Sequence, residues 1–180
     1  MLISFFKGLR HTTPEAEVNL LDVLHDIQNG RWKEEVLKCR EDMKLKEVLP
    51  CFTPTGIFNH RSIKGLLQYN GNFCLDIDHI DDAEALKRRC KEITWIWAAF
   101  ITPSGKGLKV IIKSDATAED FRSTEEIVAE QFKLLTGFER DERCKDIARI
   151  QYVSYDPEIY INTQPSKFVK EDYPADAVSP

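Results

Sequence analysis

A chain of 180 residues and 20.8 kDa is long enough to bury one hydrophobic core. Its composition, 42% hydrophobic and 31% charged, is that of a globular protein, and its net charge of −5 provides no overall attraction to nucleic acid. No apolar run approaches the ~18–20 residues that cross a bilayer, and the short apolar opening lacks the small-residue cleavage site of a signal peptide. We therefore expect a cytoplasmic protein without a membrane partner.

Residues 1–50 are predicted to form a helical N-terminal portion. Apolar residues recur at helical spacing from Val18 to Ile27, and Asn29-Gly30 ends the run. A second helix is predicted over residues 32–43. Prolines at positions 50 and 54 then bound a short extended segment that ends near Phe58.

Strands and helices alternate in the rest of the chain. The predicted strands, recognised by apolar and β-branched residues, cover residues 72–78, 93–101, 108–113, 150–153 and 159–161. The predicted helices cover residues 82–91, capped by Asp81 or Asp82, and 118–135, ended by Gly137. The pattern predicts an α+β fold, a mixed sheet with packed helices, as a single domain over residues 1–163. Residues 51–163 would form the sheet core, and residues 164–180 a tail or linker.

The five cysteines favour neither a zinc site nor a disulfide framework. No pair has C-x-x-C spacing, and Cys39, Cys74 and Cys90 lie inside apolar runs. Buried, reduced thiols and no zinc are therefore expected.

The predicted strand at residues 72–78 ends in the sequence LDID, which carries Asp76 and Asp78. Alternate residues of a strand share a face, so the two carboxylates would repel each other at close range. A divalent cation relieves that repulsion, and carboxylate oxygens suit Mg²⁺ or Mn²⁺. The alternative is a strand that ends at Asp76, with Asp78 capping the following turn.

The segment SGKGLK at residues 104–109 precedes another predicted strand. Glycines let backbone amides approach phosphate oxygens, and the lysines supply positive charge. The segment is not a Walker A loop, because a strand rather than a helix follows it. The alternative is a glycine hairpin with solvated lysines.

A third segment joins Asp141 to the sequence KDIAR, which ends at Arg149. An acid near a strand edge would supply a third metal ligand, and the arginine would clamp phosphate. Asp146 is the alternative third ligand, and an exposed loop rich in salt bridges is the alternative structure.

Basic residues also concentrate between Lys87 and Lys113, where Glu92 is the one acid. Such a stretch would face a phosphate backbone if it formed one surface. The alternative is a solvated helix face followed by an ordinary lysine-bearing strand.

The order of the three motifs resembles the archaeo-eukaryotic primase (primase–polymerase) superfamily. The closer resemblance is to the VirE-associated N-terminal domains of bacterial mobile-element and phage-type replication proteins. The likeness runs from about Phe52 to Asn162, through LDIDHI, TPSGKGLKVII and KDIARIQYVSYDPEIYIN. It implies an RRM-like sheet core. Two features depart from the superfamily: position 109 is lysine where histidine is usual, and the zinc cluster of many relatives is missing.

The resemblance implies metal-dependent nucleotidyl transfer by a DNA primase- or polymerase-like domain of a replication protein. Asp76, Asp78 and Asp141 would be catalytic and would hold Mg²⁺ or Mn²⁺. The nucleotide-binding residues would be Ser104, Gly105, Lys106, Gly107, Lys109 and Arg149. Expected partners are a nucleoside triphosphate, a DNA or RNA template, and a fused or associated helicase or ATPase domain. The alternative is a catalytically inactive module of the same fold that binds nucleic acid or a replication partner.

Overall fold

The computed structural model describes residues 1–142 and 145–173, and it confirms the predicted α+β class. Its strands are β1 (Leu2–Phe6), β2 (Ala16–Asn19), β3 (Cys51–Thr53), β4 (Gly56–Phe58), β5 (Leu66–Tyr69), β6 (Asn72–Asp78), β7 (Ile96–Ile101), β8 (Gly107–Lys113), β9 (Gln151–Tyr152) and β10 (Tyr160–Ile161). Its α-helices are α1 (Leu20–Asn29), α2 (Lys33–Glu41), α3 (Ala83–Cys90) and α4 (Phe121–Thr136). Short 3₁₀ helices cover Met43–Val48, Ile63–Gly65 and Lys170–Asp172.

The central sheet has the strand order β10-β7-β8-β6, and its neighbouring strands are antiparallel. β7 and β8 form a hairpin, and β6 pairs with β8 along its whole length, from Asn72 opposite Lys113 to Asp78 opposite Gly107. The predicted mixed sheet is therefore antiparallel in its named strand pairs. A single parallel bridge joins Ser114 to Phe168 at its border.

Two strands precede the helices that the sequence predicted in the N-terminal portion. β1 pairs with both β2 and β3, and β9 completes a second antiparallel sheet of order β2-β1-β3-β9. Helix α1 begins where the Asn19 side chain accepts a hydrogen bond from the Leu21 amide, and it ends at Gly30 in the left-handed conformation. β1 and β2 are thus a correction to the wholly helical expectation for residues 1–50.

The central sheet is buried on both faces. One face packs on α3 and α4 through residues such as Leu75, Ile77 and Phe132. The other face packs on α1, α2 and the second sheet, and includes Phe100 and Ile111. Since side chains alternate along a strand, every second residue of β6 and β8 points towards the N-terminal half of the chain.

Residues 164–173 are not the tail that their composition suggested. Phe168 is fully buried, meets Trp95 edge-to-face at 5.4 Å between ring centroids, and stacks on Tyr173 at 4.5 Å. Its amide donates to the Lys113 carbonyl at 2.8 Å. The segment docks because one large aromatic ring joins the core cluster that includes Trp95. Residues 174–180 of the expected tail lie outside the described residues.

Within residues 1–142 and 145–173, no helix is long and apolar enough to cross a membrane.

Candidate phosphate-binding cleft

Asp76 lies on β6, the last strand in the order of the central sheet, directly opposite Lys109 on the neighbouring strand β8. Both residues are buried, and the Lys109 ammonium forms an ion pair with the Asp76 carboxylate. Neither charge would be stable alone at this depth, so each is held in place by the other. Two residues that the sequence had assigned to separate motifs are therefore one structural unit.

Asp78 shares the strand face of Asp76 but lies at the exposed end of β6. The chain turns immediately afterwards at His79, whose φ of 57° is left-handed and uncommon for a residue other than glycine. Gly107 faces this end of the strand, and a Cβ there would lie 2.6 Å from the Ile77 carbonyl oxygen. The glycine at position 107 is thus needed for close strand packing.

A backbone hydrogen bond holds Asp141 next to β6. Its amide donates a hydrogen bond of 2.7 Å to the Asp76 carbonyl oxygen. The preceding residue fixes this approach, because the buried Arg140 guanidinium pairs with the buried Glu125 carboxylate of α4 at 2.6 Å. Burial raises the pKa of Glu125 and the Arg140 charge opposes that effect. The alternative third ligand, Asp146, is exposed and belongs to a cavity described below.

The SGKG segment forms the β7–β8 turn, and two of its amides are already hydrogen-bonded inside it. The Gly105 amide donates to the Thr102 carbonyl at 2.9 Å, and the Lys106 amide donates to the Ser104 hydroxyl at 3.3 Å. Gly105 has a φ of +76°, which glycine adopts without strain. The turn is the predicted hairpin next to β6, but these amides contribute no phosphate cradle as they stand.

A cleft of about 500 Å³ opens above the Asp76–Lys109 pair, between the central sheet and the N-terminal half. Its charged wall consists of the pair itself together with Lys46, Glu47 and Arg149. The remaining lining residues are mainly apolar or aromatic: Leu9, Met43, Ile150 and Tyr152. The Lys46 ammonium lies 5.2 Å from the centre of the Tyr152 ring, in a cation–π arrangement.

Two of the cations in this cleft have no carboxylate partner among residues 1–142 and 145–173. Glu47 is hydrogen-bonded to Arg10 at 3.2 Å, which leaves Lys46 and Arg149 unpaired. Arg149 was predicted from the sequence, whereas Lys46 was not, because it lies in a short 3₁₀ helix with no motif around it. The sequence around Lys46, KEVLP, is a lysine–acid pair followed by one proline, and it carries no signal of a function.

The basic stretch between Lys87 and Lys113 does not form one surface. Lys87 is buried and bridges both carboxylate oxygens of Asp156 at 2.8–2.9 Å. Arg89 donates to the Thr136 carbonyl at the end of α4, and Lys113 lies over the Trp97 ring. The expectation of a phosphate-facing stretch is corrected, since these side chains hold elements of the fold together.

Asp76, Asp78 and Asp141 are not arranged as a metal site in this structure. Within the described part of the chain, no group of three or more His, Cys, Asp or Glu side chains is placed to hold a metal ion. The carboxylate oxygens of Asp76, Asp78 and Asp141 have the chemistry that Mg²⁺ prefers, but Lys109 already neutralises Asp76. The residues do not fit a bound divalent ion in this arrangement, and metal binding by the three acids stays a prediction.

Three of the cysteines are buried thiols, as the sequence indicated for Cys39 and Cys90. Burial raises the pKa of Cys51 to about 11 and that of Cys90 to about 12. Cys74 was also predicted to be buried, but it is half-buried on β6, and Cys144 lies outside the described residues.

Comparison with known protein families identifies the family of this chain. The family model of the BT4734-like N-terminal domain matches residues 44–161, more than half of the chain and the part that includes the cleft. No curated protein and no protein of solved structure matches the chain. No primase–polymerase family model matches, so the predicted resemblance to that superfamily and its VirE-associated domains is wrong. The chain belongs to the BT4734-like N-terminal domain family.

Proposed function

We propose that this protein binds the phosphate groups of a nucleotide or of a nucleic acid strand in the cleft above Asp76 and Lys109. The observation that carries the proposal is the meeting of Lys46, Lys109 and Arg149 in one cleft of a chain whose net charge is −5. Lys46 and Arg149 have no carboxylate partner in the described residues, so their charge is available to an anion. Charged donors of this kind form short, strong hydrogen bonds to phosphate oxygens.

The other lining residues support a ligand that is partly apolar. Leu9, Met43 and Ile150 present hydrocarbon surface, and Tyr152 adds an aromatic ring. A nucleotide combines a flat base with a charged phosphate, so it matches a cleft lined by both apolar and cationic groups. Free phosphate would use the cationic groups alone.

Binding is tested by titrating labelled adenosine triphosphate and a labelled single-stranded oligonucleotide into wild type and variants. Arg149→Gln and Lys46→Gln each remove one charged donor, and each is expected to weaken binding about tenfold. Lys38→Gln is the matched control, because Lys38 is exposed on α2 and does not line the cleft. The proposal fails if wild type binds neither probe, or if all three variants bind equally well.

Metal-dependent nucleotidyl transfer is the second candidate function. The observation that favours it is the closeness of the three acids along the backbone, since Asp76 and Asp78 share a strand face and the Asp141 amide donates to the Asp76 carbonyl. A divalent ion would supply neutralising charge for phosphoryl transfer when bound. Asp76 would have to exchange its ion pair with Lys109 for that ion. A DNA or RNA template and a helicase or ATPase partner belong to this candidate and stay predictions.

Catalysis is tested with Mn²⁺, a primed template and labelled nucleotides. Extension of the primer by wild type, and its loss in the Asp78→Asn variant, would establish transfer. Asp78 is the suitable position because its exposed carboxylate can be neutralised without disturbing the buried Asp76–Lys109 pair. Salt-dependent binding without extension, under NTPs and dNTPs alike, would leave phosphate binding as the function.

A further inference from the structure

A second basic cavity, of about 290 Å³, adjoins the cleft. The two share Leu9, Arg149 and Ile150, so Arg149 stands at the boundary between them. The second cavity adds Arg61, Ser62, Ile63, Asp146 and Ala148. None of these residues was singled out by the motifs except Asp146, and none belongs to the Asp76–Lys109 pair.

Arg61 contributes a partly buried guanidinium group to this cavity. Its backbone amide is fixed by a hydrogen bond of 2.7 Å to the Thr12 carbonyl. Its Nη1 atom is buried and has no hydrogen-bond partner, and no carboxylate among the described residues pairs with the guanidinium. An unsatisfied buried donor is costly, and a guanidinium retains its charge under all physiological conditions. An anion in the cavity would remove that cost.

Two other groups near Arg61 do not supply the missing counter-charge. The Cys51 thiol is hydrogen-bonded to the Arg61 side chain, but burial raises its pKa to about 11, so it stays neutral near pH 7. Asp146 lines the cavity with an exposed carboxylate, and its carbonyl accepts from the Arg149 amide at 3.1 Å. The two arginines therefore outweigh one solvated acid, and the cavity retains net positive charge.

We propose that the Arg61–Arg149 cavity binds a second phosphate group of the ligand whose first phosphate lies in the cleft. The proposal rests on the proposed function and extends it from one phosphate to two. The planar guanidinium of Arg61 donates two parallel hydrogen bonds to phosphate oxygens, which matches the geometry of a phosphate better than lysine does. The second phosphate comes either from the polyphosphate chain of a nucleoside triphosphate or from the next nucleotide of a strand.

The test compares three adenosine probes on full-length wild type and Arg61→Gln. The probes are the monophosphate, the triphosphate, and a 5′-phosphorylated dinucleotide with one phosphate per nucleotide. Arg61→Gln is expected to weaken one of the two multi-phosphate probes about tenfold and to leave the monophosphate within twofold. Loss on the triphosphate identifies a polyphosphate chain, and loss on the dinucleotide identifies a strand.

Controls separate this inference from the proposed function. Arg88→Gln makes the same charge change on α3, at a residue that lines neither the cleft nor the cavity, and should not affect any probe. Arg61→Lys keeps the charge but not the paired donors, and should bind the affected probe with intermediate affinity; it also serves if Arg61→Gln does not fold. If wild type binds the monophosphate but Arg61→Gln changes nothing, or weakens all three probes equally, the second site is overturned and the cleft is not. If wild type binds none of the probes, both proposals fall.

Discussion

Removing either partner of the Asp76–Lys109 pair should destabilise the fold strongly. The side chains are 11% and 6% exposed, so solvent screens their interaction little. Lys109→Met keeps the aliphatic stem and removes the ammonium that pairs with the buried Asp76 carboxylate. Loss of one partner of such a pair costs about 3–5 kcal/mol of unfolding free energy. Replacing both, as Asp76→Leu with Lys109→Met, should return the protein to within about 1–2 kcal/mol of wild type, because no buried charge is left.

Urea unfolding followed by tryptophan fluorescence measures these differences, and a double-mutant cycle isolates the coupling between the two residues. Lys133→Met is the control, since its pair with Glu139 is exposed on both sides and should contribute little. Single variants that each cost less than about 1 kcal/mol, with no coupling, would refute the reasoning. The pair would then be hydrated, and the floor of the cleft would not be the rigid structure described above.

Three further predictions concern other parts of the fold. Asp156→Asn should lower the unfolding free energy by about 3 kcal/mol in urea titrations, because it leaves the buried Lys87 ammonium without its main counter-charge. Gly107→Ala should cost about 1–3 kcal/mol in the same assay, because its Cβ would press on the Ile77 carbonyl, a backbone group of the paired strand β6. The Cys90 thiol, with a pKa of about 12 when folded against 9.0 in the unfolded chain, should make stability fall as pH rises from about 9 to 12, and Cys90→Ala should flatten that decline in pH-dependent unfolding.

Local patterns predicted the second half of the fold well. The strand at residues 72–78, the caps at Asp82 and Gly137, and the helix α4 follow from alternation, capping chemistry and helical spacing. The Asp82 carboxylate accepts from the Ala85 amide at 2.8 Å, as an N-cap should. Each of these signals lies within a single strand or helix and its ends, so it does not depend on how the elements pack.

Features that depend on distant pairing could not be predicted from the sequence. β1 is stabilised by β2 and β3, and β3 pairs with a strand almost a hundred residues later in the chain. Phe168 looked like part of a tail because its neighbours are polar, although its ring fills a gap in the core. In both cases the stabilising partner lies in another segment, and local propensity contains no information about it.

In the candidate site, too, local sequence indicated some residues and only the folded structure revealed the others. The sequence indicated Asp76, Lys109 and Arg149, but it could not show that the first two are opposite each other in the sheet. The sequence did not indicate Lys46 and Arg61. Their role depends on the absence of a neighbouring carboxylate in the described residues, and that absence is a property of the folded surface. An unpaired cation in a cavity is therefore a signal that only the structure provides.

Both candidate functions require a positively charged cleft. They differ in whether the Lys109 ammonium stays paired with Asp76. With Lys109 bound to Asp76, the anion-binding charge comes from Lys46 and Arg149. If a divalent ion replaced Lys109 at Asp76, the released ammonium would add to that charge, and phosphate would bind more tightly. Mn²⁺ and nucleotide should then strengthen each other's binding, because linkage makes such coupling reciprocal. Nucleotide affinity that is unchanged by Mn²⁺ in wild type would indicate that the Asp76–Lys109 pair stays closed and that the cleft is a binding site alone.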